Sequence, residues 1–256
     1  MKKDHVKIFL FPHQDDELGA ISSLLYDSHT NCEKIFCFYL SKSPKNINRT
    51  LESKSFLSFL KIKNINLIDI GDELKILDQK VIFNLSLIYK YIFAYIRKNL
   101  SANKIKVYTP SYEGGHPDHD SAYIIGKKLV LNYPVLDFCT FPLYNAENRN
   151  FAFFNAFLPL SYQKKNSFKV FCNPFLIIRI LLSPFIFKSQ YKAIFALYPF
   201  FILRILFGFY LTKNQIIQSK LNIIKPHSGE LYYEKRKWMS SDFAIIQFET
   251  FLNNQI

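Results

Sequence analysis

From Val6 to Leu131 the chain alternates short apolar runs with longer stretches of helical period, and few folds accommodate that order. The runs "VKIFLF" (Val6–Phe11), "KIFCFYLS" (Lys34–Ser41), "INLIDIGD" (Ile65–Asp72) and "KIKVYTP" (Lys104–Pro110) read as buried strands. Between them lie "ELGAISSLLYDS", the segment "NRTLESKSFLSFLKI" with Leu51, Phe56, Leu57 and Leu60 on about one face, and the apolar-faced stretch Val81–Arg97; Ser121–Leu131 follows the fourth run. Strands separated by helices of this length imply βαβ units. The expected architecture is a three-layer α/β fold with a mostly parallel, Rossmann-like sheet. In such sheets ligands sit beyond the carboxyl ends of the strands, so the residues that follow each strand carry the functional reading.

Two charged clusters fall there. "FPHQDDELG" (Phe11–Gly19) follows the first strand and packs His13, Asp15, Asp16 and Glu17 into five positions. "YEGGHPDHD" (Tyr112–Asp120) follows the fourth and holds His116, Asp118, His119 and Asp120 behind a Gly-Gly turn. Each is a weak signal alone. A His three residues from an Asp at a helix start suits capping as well as metal, and Pro117 suits the first position of a helix. As a pair they are stronger, because a parallel sheet brings both to one rim. A catalytic zinc takes three protein ligands and keeps one position open for water; the pair offers donors enough, with carboxylates left over for acid–base work. From spacing alone, an anion site or a structural hydrogen-bond cluster stays open beside the metal reading.

With 256 residues, 49% of them hydrophobic, the chain can bury a sizeable core without a staple. Cys32, Cys37, Cys139 and Cys172 form no CxxC pair, which argues against a disulfide framework and for a reducing, cytoplasmic setting. No charged and apolar leader pattern opens the sequence. The net charge of +13 suits nucleic acid, an anionic membrane surface or an acidic substrate. Nucleotide chemistry has no support, because neither GxxxxGK[ST] nor GxGxxG occurs. The aromatics of the second half read as core or cap rather than as nucleobase platforms, and no nucleic-acid partner is expected.

The second half differs in texture. Phe151–Thr212 is dense in Phe, Ile and Leu and is punctuated by Pro159, Pro174, Pro184 and Pro199. Within it "AIFALYPFFILRILFGFYLT" (Ala193–Thr212) carries one charge, Arg204, in 20 residues. Three readings stand: a hydrophobic cap with Lys and Arg snorkelling outward, helices lying on a membrane surface at the inner leaflet, or a true span, which Pro199 and Arg204 near its middle oppose. The expected division is an α/β catalytic core over residues 1–150, an apolar, basic-studded helical insert or cap over 151–215, and a return to the core over 216–256, with Ser240 or Ser241 capping a helix that ends near Leu252. His5 and His29, in a terminus and a turn, read as solvated, and His227 in "KPHSGE" reads as a loop histidine, with a place at the site mouth as its alternative.

"PHQDDELG" with "YEGGHPDHD" resembles the PIG-L/LmbE-like N-acetylglucosaminyl deacetylases, whose pattern is P-H-P-D-D-E after the first strand and H-P-D-H after a later one. "RTLE" (Arg49–Glu52) and "INLIDIGDEL" are weaker echoes, and the resemblance extends from about Val6 to Tyr144. It implies a zinc, or iron(II), held by His13, Asp16 and His119, and Asp15 as the general base. It further implies that His116 stabilises the oxyanion or protonates the leaving amine, that Asp118 orients the His116 ring, and that Arg49 and Tyr112 contact substrate. The implied reaction is removal of acetyl from an N-acetylated, GlcNAc-type sugar, lipid-linked or part of surface glycan assembly. A different N-acyl substrate and a non-catalytic membrane-surface protein are the alternatives. Two departures stand out. Gln14 replaces the usual Pro, which is expected to loosen the loop, and Pro199, Phe200 and Phe201 follow Tyr198 where the family has Ser and Gln.

Overall fold

Five strands pair in parallel, and the inner ones, such as β1, are buried on both faces. The structure, a computed structural model, describes residues 5–25, 33–42, 49–100, 104–133, 136–149, 152–214 and 223–254; His29, Cys32 and the last residues of the expected first helix lie outside them. In chain order the elements are β1 (His5–Phe11), α1 (Ile21–Leu25), β2 (Glu33–Tyr39), α2 (Arg49–Phe59), β3 (Ile65–Asp69), α3 (Ile70–Glu73), α4 (Leu85–Asn99), β4 (Lys104–Pro110) and α5 (Pro117–Asn132). They continue as β5 (Leu136–Phe141), β6 (Ser167–Val170), α6 (Ile177–Leu182), α7 (Tyr191–Phe207), β7 (Phe209–Asn214), α8 (Tyr232–Lys235) and α9 (Ser241–Asn253). The sheet order is β3-β2-β1-β4-β5-β7-β6. β3 through β5 are mutually parallel, with Phe9 opposite both Cys37 and Tyr108, while β7 runs antiparallel to β5 and β6. The expected α/β class and mostly parallel sheet are both present.

Alternation along β1 splits the core into two layers. Val6, Ile8 and Leu10 pack with Ile88, Ile92, Ile125, Leu129 and Phe248, from α4, α5 and α9, on one face. Phe9 and Phe11 pack with Phe56, Leu57, Phe201 and Ile205, from α2 and α7, on the other. There Phe9 stacks on Tyr108 with centroids 4.7 Å apart and planes 10° apart. The chain runs outward from β1 to β3 and then returns to lay β4 on the other side of β1. Strand order therefore reverses between β1 and β4, and the loops beyond their carboxyl ends diverge to leave a crevice.

Several boundaries differ from the sequence reading. The third strand ends at Asp69, because that carboxylate accepts from the Asp72 N–H at 3.0 Å and caps α3. The helix expected from Val81 opens with a 3-10 turn, Val81–Asn84, before α4. α5 starts at Pro117, four residues earlier than Ser121, with His116 as its N-cap. The apolar run Ala193–Thr212 is two elements: Gly208, at φ 87°, ends α7 and turns the chain into β7. Residues 151–215, expected as a helical cap, contribute β6 and β7 to the edge of the main sheet as well as α6 and α7.

The C-terminal segment is held by Glu234, which accepts from the Leu231 N–H at 2.7 Å, the Ser241 N–H at 2.9 Å and the Lys225 ammonium at 2.9 Å. Ser240 caps α9 by accepting from the Phe243 N–H, as expected. Partial burial would raise the Glu234 carboxyl, but these donors outweigh it and hold the pKa down to about 2 from 4.5. Its stabilisation is fully present above about 4.5 and is lost as pH falls toward about 2. Glu234→Gln is expected to destabilise the chain by about 1–3 kcal/mol at pH 7. In urea unfolding followed across pH, that difference should shrink below about 4.5; a pH-independent difference would remove the electrostatic account.

Candidate metal and catalytic site

Both clusters emerge at the crevice between β1 and β4. After Phe11 the chain turns through His13 into the 3-10 segment Asp16–Leu18. After Pro110 it passes Gly114 at φ 70° and Gly115 before α5 begins. A Cβ on Gly115 would collide with the Tyr144 carbonyl, so only glycine lets this loop lie close enough to place His116. The three imidazoles then meet. Ring centroids are 4.8 Å apart for His13 and His116, 5.4 Å for His13 and His119, and 5.1 Å for His116 and His119.

Carboxylates surround them. Asp16 presents Oδ2 at 3.4 Å from His13 Nδ1 and Oδ1 at 3.3 Å from His119 Nε2. These are about the separations between two ligands on a tetrahedral cation with bonds of roughly 2.0–2.1 Å. A ligand atom from each of His13, His116 and His119 lies within 4.8 Å of the others, and His13, Asp78, His116 and Asp118 satisfy the same distance as a second set. His119 Nδ1 is buried with no hydrogen-bond partner among the described residues. The donor set fits a divalent metal of the zinc or iron(II) kind, nitrogen and carboxylate oxygen together.

Asp15 sits on a strained backbone, at φ 144° and ψ −16°. Such a conformation costs on the order of 1–3 kcal/mol for a non-glycine residue and persists only where neighbours enforce it. Glu17 is the enforcing group. Its fully buried carboxylate accepts from the Asp15 N–H at 2.8 Å and from the Tyr39 hydroxyl at 2.6 Å. Burial, reinforced by the Asp16 charge, pushes the Asp15 carboxyl up to about 8, against the opposing pull of His13 and Arg49. Burial would lower the His13 pKa, yet the carboxylates of Asp118, Asp16 and Asp78 hold it well above 6.5. His116 moves the other way: burial and the neighbouring His13 and His119 hold it well below 6.5.

His116 has its tautomer set by the backbone. The Asp118 N–H donates to His116 Nδ1 at 3.1 Å, so in the neutral ring the proton resides on Nε2. Asp118 thus meets that ring through its backbone N–H, and its carboxylate is engaged elsewhere. It accepts from the N–H groups of Gln79 and Val81 at 2.7 and 3.2 Å and lies 3.4 Å from His13 Nε2. That grip draws in Asp78, whose Oδ1 is 3.0 Å from His13 Nε2 and 3.6 Å from His116 Nε2. Asp78 went unread because "LDQK" carries no motif and reaches the crevice only through the Asp118 contacts.

A cavity of about 260 Å³ adjoins this cluster, and Arg49, Asp15, His116, Tyr144, Tyr232 and Trp238 are among the residues lining it. Arg49 is among these lining residues, its guanidinium facing the Gln190 carboxamide, whose oxygen it meets once the amide is turned. One turn on, Glu52 accepts from the Ser189 N–H and hydroxyl at 3.0 and 2.5 Å, tying α2 to the segment before α7. Tyr112 is a correction: it lies in the core, stacked on Tyr123 at 5.6 Å, and does not line the cavity. The aromatics at the site are instead Trp238, 5.0 Å from His116, and Tyr144, 5.3 Å from His119. Gln14 is also corrected. Its amide donates to Asp69 at 3.2 Å while buried, so it tethers the loop where loosening was expected. His227 lies in a loop, as expected, and is buried there, its Nδ1 2.8 Å from the Ser228 carbonyl; it does not line the cavity.

The sheet order and the site at its reversal define the chain as a doubly wound α/β protein with a histidine–carboxylate centre. Solved structures share the fold. A deacetylase of teicoplanin biosynthesis in complex with teicoplanin aligns with a TM-score of 0.55 and 11% identity over 82% of this chain and 100% of its own. The zinc-inhibited form of teicoplanin deacetylase Orf2 aligns at 0.53 and 9% over 83% and 100%. The conserved protein TT1542 from Thermus thermophilus aligns at 0.51 and 15% over 84% and 98%. No protein-family model matches the chain, and no curated protein is similar to it.

Metal ligands must shed protons to bind, and the surrounding carboxylates hold the His13 pKa well above 6.5 in the metal-free chain. Zinc binding should therefore release protons, with apparent affinity rising as pH rises. Calorimetry in two buffers of different ionisation enthalpy checks this, and buffer-independent heats would count against His13 as a ligand. Asp16→Ala is expected to lower zinc affinity by at least about 100-fold in the same titration.

Proposed function

We propose that the chain is a metal-dependent deacetylase of the PIG-L/LmbE type that removes acetyl from an N-acetylated, GlcNAc-type amino sugar. The observation that carries this reading is the meeting of His13, Asp16 and His119 beside Asp15 and His116 in one lined cavity. The fold it shares with a teicoplanin deacetylase supports it. His13, Asp16 and His119 hold the metal, zinc or iron(II). When bound, the metal supplies a Lewis acid for the amide carbonyl and a water of lowered pKa.

Asp15 is the general base, its carboxyl, held up at about 8 by burial in the metal-free chain, being drawn down by the charge of the bound cation. Its strained backbone, fixed through Glu17, aims the carboxylate into the cavity, where it accepts a proton from the attacking water. His116 donates from Nε2 as a neutral imidazole, because Asp118 occupies Nδ1 from the backbone and burial disfavours the charged ring. A neutral donor at a helix N-terminus stabilises a developing oxyanion in a water-poor site. Arg49, held by Gln190, binds substrate. The wall formed by Leu143, Phe157, Ile194, Leu197 and Phe201 suits an apolar aglycone, as on a lipid-linked sugar. The protein works in the cytoplasm in this reading, without nucleic acid.

The test offers zinc-loaded protein a panel of N-acetylglucosamine glycosides, lipid-linked members included, and measures acetate. Wild type should release acetate, Asp15→Asn should keep about one metal per chain while losing about 10²–10⁴ in rate, and His116→Ala should lose about 10²–10³. Wild type that binds zinc but releases acetate from no member would overturn the reading. Glu17→Gln frees the Asp15 turn, and a fall of about tenfold in kcat with KM and metal content kept is expected.

A further inference from the structure

Between Glu147 and Glu230 the sequence holds eleven Lys or Arg and no Asp or Glu, so 82 residues carry nearly all of the +13 net charge. The same stretch leaves large apolar side chains bare. Phe175 is 93% exposed, Phe195 77% and Ile178 72%, and Phe171, Leu182, Phe185, Tyr191, Leu206 and Phe207 are exposed beside them. On α7 burial sorts by face, and both properties fall on the outer one. Ile194, Phe201 and Ile205 point into the core, while Tyr191, Phe195, Leu203 and Leu206 recur at helical spacing on the outer side, with exposed Lys192 among them. Lys188 and Lys169 are exposed nearby. An apolar face of this extent on a water-exposed surface marks an interaction site.

We propose that the outer face of α6 and α7 seats the chain on an anionic lipid surface, beside the cavity. A bilayer fits both halves of the pattern: Phe, Ile and Leu enter the acyl boundary while Lys188 and Lys192 meet head-group charge. A second copy fits worse, because an isologous contact would press two acid-free, basic surfaces together. Among the described residues, Lys188–Phe207 is long and apolar enough to cross a membrane. Its inner side is nevertheless packed in the core, and Gly208 leads directly into β7, hydrogen-bonded between β5 and β6. α7 therefore lies on the body of the protein. Ile194, Leu197, Tyr198 and Phe201 form a wall of the cavity from its other side, and Ala193 is both exposed and part of that lining. One helix thus separates the bare face from the chemistry by its own width. A lipid-linked substrate would reach the cavity around it; that consequence rests on the proposed deacetylase function, whereas the docking does not.

The experiment is sedimentation of the full chain with phosphatidylcholine vesicles, with and without phosphatidylglycerol. The chain should pellet with the anionic vesicles only, and about 0.5 M salt should release it. Phe175→Ser with Phe195→Ser, and separately Lys188→Glu with Lys192→Glu, should each weaken binding at least about tenfold with the unfolding midpoint kept, since all four side chains are exposed. Asp15→Asn should bind vesicles like wild type even if no glycoside releases acetate, which separates failure of the docking from failure of the proposed reaction. Three outcomes overturn the proposal: no pelleting, equal pelleting with neutral vesicles, or self-association in light scattering that the double Phe variant abolishes.

Discussion

Packing three imidazoles, two of them buried and His13 half-buried, against a ring of carboxylates is the constraint on which the site depends. A lone buried charge is strongly unfavourable, and partners of opposite charge or hydrogen bonds must offset the lost hydration. Here nearly every group leans on another. Asp16 faces both His13 and His119, Asp118 and Asp78 face His13, and the Asp118 N–H fixes His116. Glu113 extends this inward, accepting from the N–H groups of Leu143 and Tyr144 at 2.8 Å each, while Asp120 accepts from those of Glu113 and Gly114. Those bonds tie the loop after β4 to the loop after β5. Burial still wins at both, raising Glu113 to about 8 and Asp120 to about 7.

Such a cluster holds only if the scaffold brings its halves together without freedom to relax. The reversal of strand order between β1 and β4 does so, because two parallel neighbours whose connections leave in opposite directions open a crevice between rigid strands. The local devices are smaller. Gly115 permits close approach to Tyr144, Gln14 ties the first loop to Asp69, and Glu17 enforces the unusual φ of Asp15. Glu17 illustrates how a residue without catalytic duty becomes indispensable: it keeps strain where it is useful.

Legibility followed the range of the interactions. β4 was readable to the residue, and the α9 cap to within one, Ser240 or Ser241, because both depend on nearby side chains. β7 was not, since "FYLT" continues an apolar run of helical length and only the positive φ of Gly208, together with pairing to β5 and β6, makes it a strand. The third strand was read too long because "INLIDIGD" hides an Asp69 cap within it. At the site, His13, Asp15, Asp16, His116 and His119 announced themselves by motif, whereas Asp78 arrives from a loop with no pattern, and Tyr112, beside the second motif, turns inward to Tyr123.

The sequence by itself determined the class of fold and the chemical inventory, since period, strand spacing and two dense motifs are properties of neighbours along the chain. Tertiary structure decided the rest. It chose which carboxylates share the crevice, which tautomer His116 adopts, and that Trp238 and Tyr144 rather than Tyr112 border the imidazoles. It also laid one side of α7 against the core and left the other bare. The physical reason is common to all of these: they depend on contacts between residues far apart in sequence, and only the closing of the sheet makes such residues neighbours.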